Sequence, residues 1–249
     1  MIERSARDGV AILRLNHGKA STLDVELLEE LRRQLAEVAA SAAAAVVITG
    51  SGSIFSAGVD LFRMTSEGRP YVERFFPLMV DTFSDLFLFP RPVVAAVNGH
   101  AIAGGAILTA AADYRVMAGG KGRIGVPELL VGVPFPALAL EIVRFGFAPH
   151  VEEMVYSGKT ILPEEALERG LVDEIVEPDQ LLDRAVAAAA DFGSRPRDAF
   201  RLTKRQLRSP YVDRAKELAA ADREAVELWS APSTHQHIRA YLERTVGRK

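Results

Sequence analysis

The chain contains no cysteine. That absence excludes a disulfide framework, a thiolate metal site and a cysteine nucleophile together. Neither charge is in excess: 30 Lys and Arg stand against 33 Asp and Glu in 249 residues, a net charge of −3. This leaves no general basic field for nucleic acid or an anionic membrane. With 49% hydrophobic and 25% charged residues the composition is that of an ordinary globular protein, too apolar for disorder. The length suits one large domain or two small ones, and either buries a real core. No apolar run follows the positive charge of Met1-Ile2-Glu3-Arg4, so no secretory signal is expected there.

Several common chemical signatures are also missing. No G-x-G-x-x-G follows a strand pattern and no G-x-x-x-x-G-K-[ST] occurs, which argues against dinucleotide and P-loop sites. Ser56 has Gly58 two residues after it but Ile54 two before it, so a G-x-S-x-G nucleophile elbow is absent. His235 and His237 are two apart and do not share a helix face; no metal site is expected. One absence is local. From Pro92 to Ala112 there is no Asp, Glu, Lys or Arg over 21 residues, long enough to span a bilayer. Its Asn98, His100 and three glycines, Gly99, Gly104 and Gly105, point instead to a buried strand (93–97), a turn at Asn98-Gly99 and a short helix (104–112).

What is present reads as an α/β layer structure. Asp8-Gly9 joins two strands, Ile2–Arg7 and Val10–Leu15. Leu27, Leu28, Leu31, Leu35 and Val38 recur at helical spacing after Asp24, a suitable N-cap. Ala45–Thr49 is a short strand, 51–68 a long loop, and 70–88 an aromatic helix with a kink or break at Pro77. Strands are expected at Tyr114–Ala118, Arg123–Val126 and 171–176, and helices at 136–146, 149–157 and 163–169. Beyond Pro178 nearly everything is helical. The tail from Pro196 has no strands to cover and reads as an appendage or oligomer contact, with Lys204, Arg205 and Arg208 as a basic surface face. No internal repeat is visible.

Three segments carry candidate chemistry: Phe55-Ser56-Ala57-Gly58-Val59-Asp60-Leu61, Asn98-Gly99-His100-Ala101-Ile102-Ala103-Gly104-Gly105, and Ile124-Gly125-Val126-Pro127-Glu128. Small residues after apolar strands let a ligand approach the backbone, and Gly104 opens a helix whose free N–H groups favour negative charge. Each segment alone is better explained by tight strand-to-helix packing than by catalysis.

In this order and spacing the three segments resemble the crotonase (enoyl-CoA hydratase/isomerase) superfamily, over nearly the whole chain. The resemblance implies a spiral of ββα units over residues 1–195, a C-terminal helical trimerisation region over 196–249, and homotrimers or dimers of trimers. It implies an acyl-CoA substrate bound along Ala57, Gly58, Val59, Asp60, Gly104 and Gly105, with the N–H groups of Ala57 and Gly104 holding the thioester oxygen. No cofactor is implied, because the coenzyme A thioester is itself the substrate. Lys19 and Arg63 lie near loops that meet the CoA phosphates or adenine. Hydratases of the family carry two glutamates. One matches Glu128; the other position is Ile107 here. A single glutamate resembles the Δ3,Δ2-enoyl-CoA isomerases, as do the phrases Ile54–Met64, Ala112–Val116 and Tyr241–Arg244. The implied reaction is a shift of a 3-enoyl-CoA double bond to the 2 position by Glu128, in a pocket supplied by Ile107, Val126, Leu129 and Phe135. The pocket wall is expected from 64–88 and Val131–Leu140, and Glu141 is expected on a helix, out of reach. Alternatives are hydration, another enolate-type acyl-CoA reaction, or an inactive acyl-CoA- or RNA-binding paralogue. The location implied is cytoplasmic, with neither nucleic acid nor membrane as partner.

Overall fold

The computed structural model describes residues 1–245; residues 246–249 of the C-terminal region lie outside the described residues. The chain opens with an antiparallel hairpin, β1 (Ile2–Arg7) and β2 (Val10–Leu15). Asp8 and Gly9 both have positive φ, +53° and +73°, as a two-residue turn matched to strand twist requires. Helix α1 (Val25–Ala40) starts where the Asp24 carboxylate accepts the Leu27 N–H at 2.8 Å, and its apolar stripe is buried.

From β3 onward the chain alternates between two sheets. The order is β3 (Ala45–Thr49), β4 (Ile54–Ser56), α2 (Leu61–Glu67) and α3 (Arg69–Phe87), then β5 (Val93–Val97), β6 (His100–Ile102) and α4 (Gly104–Ala110). A third turn follows with β7 (Tyr114–Ala118), β8 (Ile124–Gly125) and α5 (Glu128–Val131). Strands β3, β5 and β7 pair in parallel within a six-stranded sheet ordered β1-β2-β3-β5-β7-β10. Strands β4, β6 and β8 pair in parallel within a four-stranded sheet ordered β4-β6-β8-β9. The result is a spiral of ββα turns, repeated in space though not visibly in sequence. The remaining elements are α6 (Ala137–Gly146), α7 (Val151–Ser157), β9 (Thr160–Ile161), α8 (Pro163–Glu168), β10 (Glu174–Val176), α9 (Leu181–Gly193), α10 (Arg197–Glu217), α11 (Ala219–Ser230) and α12 (Pro232–Thr245).

One face of the large sheet packs on α9, through Val47, Val94, Ala96 and Val116 against Leu181, Ala185 and Ala189. The other face joins α1, α3 and α4 in the main core. The uncharged stretch is the buried strand β5, the short β6 and the buried helix α4, and no described helix is long and apolar enough to cross a membrane.

Four expectations need correction. The segment 51–68 is not one loop: it holds β4 and α2, the latter capped by the Asp60 carboxylate on the Arg63 N–H at 2.9 Å. Of the kink or break expected at Pro77, the break does not occur: Pro77 lies inside α3. The C-terminal helices are not a detached appendage. Trp229 and Ile238 are buried in the main core. Of the basic residues on α10, Lys204 and Arg208 are buried and only Arg205 is exposed. Lys204 donates to Asp113 at 2.7 Å. Arg208 pairs with the same carboxylate at 2.7 Å and donates to the carbonyls of Phe87, Ala111 and Ala112. Arg208 thereby satisfies otherwise orphaned carbonyls where α3 and α4 end.

Candidate active site

Two loops meet at the C-terminal ends of β4 and β6. Gly58 has φ +80°, and a Cβ there would lie 2.7 Å from the Ala103 Cβ and 2.9 Å from the Gly104 nitrogen. A Cβ on Gly104 would lie 2.5 Å from Leu23 Cδ1, and one on Gly105 2.3 Å from the Ser56 carbonyl oxygen. The glycines therefore let the two loops touch each other, the packing role, and in doing so bring their backbones to one point. Ala103, just before α4, has φ +52°, a conformation costly for an L-residue and characteristic of functional turns.

Which N–H groups remain available follows from the backbone hydrogen bonds. Ala57 N–H donates to Ala20 O at 3.0 Å. Gly58 N–H reaches the Ser56 Oγ at 3.2 Å, and Asp60 N–H donates to Leu23 O at 3.0 Å. Among the described residues no acceptor meets the N–H of Val59 or of Gly104, and both residues line one cavity. The Ala57 N–H, expected as an anion-binding donor, is therefore already used, and the free one on this loop among the described residues belongs to Val59, two residues on. The Gly104 N–H, the other expected donor, is free and its residue lines the same cavity. Ala57 itself still lines the cavity.

Glu128 is the first residue of α5, placed by Pro127, whose carbonyl accepts the N–H groups of Leu130 and Val131. Its side chain is in the same cavity and only 6% exposed. Burial, opposed only by the residue's own backbone N–H, pushes its pKa up to about 8, because removal from water penalises the charged form. Its Oε2 has no partner among the described residues. The cavity is lined mostly by apolar side chains. Of the four residues expected to wall it, Ile107 does; Val126 and Phe135 do not line it, and Leu129 faces outward because α5 is a single turn. The wall comes instead from Met79 and Phe83 of α3 and from Val131, Val133 and Pro136, within the two expected segments.

Two lining residues were not foreseen. Trp229 of α11 and Tyr241 of α12 fold back from the C-terminal region onto the cavity. Burial, reinforced by the charge of Glu128, holds the Tyr241 phenol above its usual pKa, so it stays a proton donor. Glu141 sits on α6, paired with Arg144 and Arg214 and away from the cavity, as expected. Arg63 is engaged by Glu26 and Glu67 and stacks over Tyr71, while Lys19 is exposed. Asp60 spends a carboxylate oxygen on the α2 cap, and Gly105 is filled against Ser56. Among the described residues no group of three His, Asp or Glu side chains is placed to hold a metal ion.

A spiral of ββα turns followed by a C-terminal helical region is the architecture of the crotonase superfamily. The human mitochondrial Δ3-Δ2-enoyl-CoA isomerase superposes with a TM-score of 0.94 at 26% identity, covering 100% of this chain and 99% of that one. The probable enoyl-CoA hydratase EchA3 of Mycobacterium tuberculosis H37Rv superposes with a TM-score of 0.84 at 29% identity, over 91% and 97% of the two chains. In sequence, the chain is 32% identical to the probable enoyl-CoA hydratase echA17 of Mycobacterium avium, covering 93% of this chain and 91% of that protein. It is 28% identical to the mitochondrial enoyl-CoA delta isomerase 1 of Rattus norvegicus, over 100% and 88%. The pattern of the enoyl-CoA hydratase/isomerase family matches residues 5–247, and the chain belongs to that family.

Proposed function

We propose that the protein moves the double bond of a 3-enoyl-CoA into conjugation with the thioester. Glu128 takes a proton from the α carbon. The electron pair shifts onto the thioester oxygen, which gains negative charge and is met by the N–H groups of Val59 and Gly104. The dienolate then collapses: the carbonyl reforms, the 2,3 double bond is made, and the same proton returns from Glu128 to the γ carbon. Donors aimed at a developing oxyanion in a dry site are each worth roughly 10²–10³ in rate, and a raised pKa makes the carboxylate the stronger base once ionised.

The observation that carries this reading is that Glu128 is the one carboxylate among the cavity's described lining residues, with Ile107 where a second would be needed to hold and activate water. A second reading is hydration of a 2-enoyl-CoA: echA17 of Mycobacterium avium is named a probable hydratase, whereas EchA3 of Mycobacterium tuberculosis is described as a hydratase in one structure and as an isomerase in another. Parallel assays of 3-hexenoyl-CoA isomerisation and crotonyl-CoA hydration separate the two. Dominant isomerisation, abolished in Glu128→Gln, is expected; dominant hydration overturns the first reading.

The same reading includes assembly into homotrimers or dimers of trimers in the cytoplasm. Supporting it, Leu129 and Leu130 on α5 and Tyr156 on the adjoining α7 are exposed apolar side chains, Tyr156 at 70%. Molar mass by light scattering tests it; a monomer is the contrary result.

A further inference from the structure

The cavity that holds Glu128 is lined in part by an aromatic side chain held from three sides. The Trp229 ring is 2% exposed and lines the cavity near Met79 and Phe83. Its Nε1–H donates to the Pro134 carbonyl at 2.9 Å. Its face meets the Phe76 ring edge-on, with centroids 5.5 Å apart and planes at 85°. Its own carbonyl accepts from His235 Nε2 at 2.8 Å, which fixes the backbone that carries it. Beyond Phe76 lies a separate surface groove between α3 and α11, walled by Phe76, Pro77, Val80 and Val226 and rimmed by five charged side chains of the two helices. One pair of rings thus stands between the buried cavity and a surface groove with an apolar part next to Phe76.

We infer that Trp229 is the end stop of the acyl-binding space, so that the enzyme selects substrates by chain length, and that the Trp229–Phe76 pair plugs a channel that would otherwise lead to the α3–α11 groove. This rests on the reading of the cavity as an acyl-CoA site. An acyl chain growing into empty apolar space gains about fourfold in affinity for each methylene buried. Met79 yields to such a chain, because an unbranched thioether adapts its shape. Trp229 does not. Turning the ring away strands a buried N–H that now has the Pro134 carbonyl, and pushing it back overpacks Phe76. Affinity therefore climbs with chain length and then breaks at the ring. A smaller side chain at 229 moves the break outward, and a second reduction at 76 joins the cavity to the groove, whose apolar walls accept the added methylenes.

The test is the dissociation constant of saturated straight-chain acyl-CoAs, from butanoyl to octadecanoyl, which bind without turnover. It is measured on the wild-type protein, Trp229→Phe, Trp229→Leu and the double variant Phe76→Leu/Trp229→Leu. Thermal melting of each protein verifies that it is folded. The expected wild-type result is a rise of about fourfold per methylene up to a limiting length. The limit moves to longer chains in Trp229→Leu, further in the double variant, and by a smaller step in the same direction in Trp229→Phe, the variant that keeps a ring if the leucine proteins do not fold. A limit at the same chain length in wild type and the folded variants overturns the inference. Failure of the wild-type protein to bind any acyl-CoA overturns the acyl-CoA reading itself.

Discussion

Gly58 and Ala103 stand so close that a methyl group on the first would lie 2.7 Å from the methyl group of the second. The same added atom would lie 2.9 Å from the nitrogen of Gly104. Gly58→Ala therefore strikes the backbone between the two residues whose N–H groups are free, and also forces an L-residue to φ +80°. The backbone penalty is about 1–2 kcal/mol, which a domain of this size survives. The oxyanion donors, however, must part. Turnover is expected to fall by roughly 10²–10³ while the circular dichroism spectrum stays that of the folded protein. Near-normal turnover would remove Val59 and Gly104 from the proposed role.

Glu128 links pH to both activity and stability. Its pKa is about 8 when folded, against 4.5 for a carboxyl in water, so the folded state holds a proton that the unfolded state has lost across that interval. The stabilisation from the neutral form is complete below pH 4.5 and disappears as pH rises through about 8. Glu128→Gln carries no such proton. Its stability advantage over wild type should grow by about 1.4 kcal/mol per pH unit through that window and level off above it, as read from urea unfolding at a series of pH values. Activity runs the other way. A base works ionised, so wild-type kcat/KM should rise with pH to a plateau above about 8. A flat profile between pH 6 and 9 is the result that contradicts Glu128 as the base.

Asp113 faces two buried cations, Lys204 and Arg208, each at 2.7 Å. Burial pushes the Lys204 ammonium down to about 8 even with Asp113 beside it. Asp113→Ala leaves both charges without their counter-ion and should cost about 3–5 kcal/mol in urea denaturation. Arg205→Ala, one position away on the same helix but exposed, should change stability by no more than about 0.5 kcal/mol. Equal losses from the two variants would contradict the burial of the cluster.

These residues also show where sequence reasoning stops. The hairpin, the α1 stripe and the Asp24 cap are set by neighbours within a few positions, and their ranges were legible. Lys204 and Arg208 look like surface charge, because the groups that take them inward, Asp113 and the Phe87 carbonyl, are 91 and 121 positions away. Strands β4 and β9, of three and two residues, are too short to show alternation and exist through their partners in the small sheet. At the site, Glu128 and Gly104 were legible from their motifs. Choosing Val59 over Ala57 required the Ala20 carbonyl, which takes the Ala57 N–H. Trp229 and Tyr241 enter only when the C-terminal helices fold back over the cavity.

Ile107 tests the reaction type most directly. It is buried and lines the cavity together with Glu128, on the first turns of α4 beyond the free Gly104 N–H. In Ile107→Glu two carboxyl groups share one apolar space, and two like charges there cannot both ionise readily. The pair then titrates jointly, holding one proton across neutral pH, so that one member is an acid and the other a base. That division suits hydration, in which a base draws a proton from water while an acid protonates the α carbon. It does not suit a single carboxylate carrying one proton from α to γ carbon. The variant should lose stability, since an uncompensated carboxyl in this cavity replaces a well-packed side chain. The measurement is the ratio of crotonyl-CoA hydration to 3-hexenoyl-CoA isomerisation on folded protein. The ratio is expected to rise at least tenfold, the change of about 1.4 kcal/mol in relative barriers that a repositioned proton donor readily supplies. If it stays at the wild-type value, the residue at 107 does not decide between the two reactions, and the choice is made by where the remaining cavity wall, Tyr241 included, holds the acyl chain relative to Glu128.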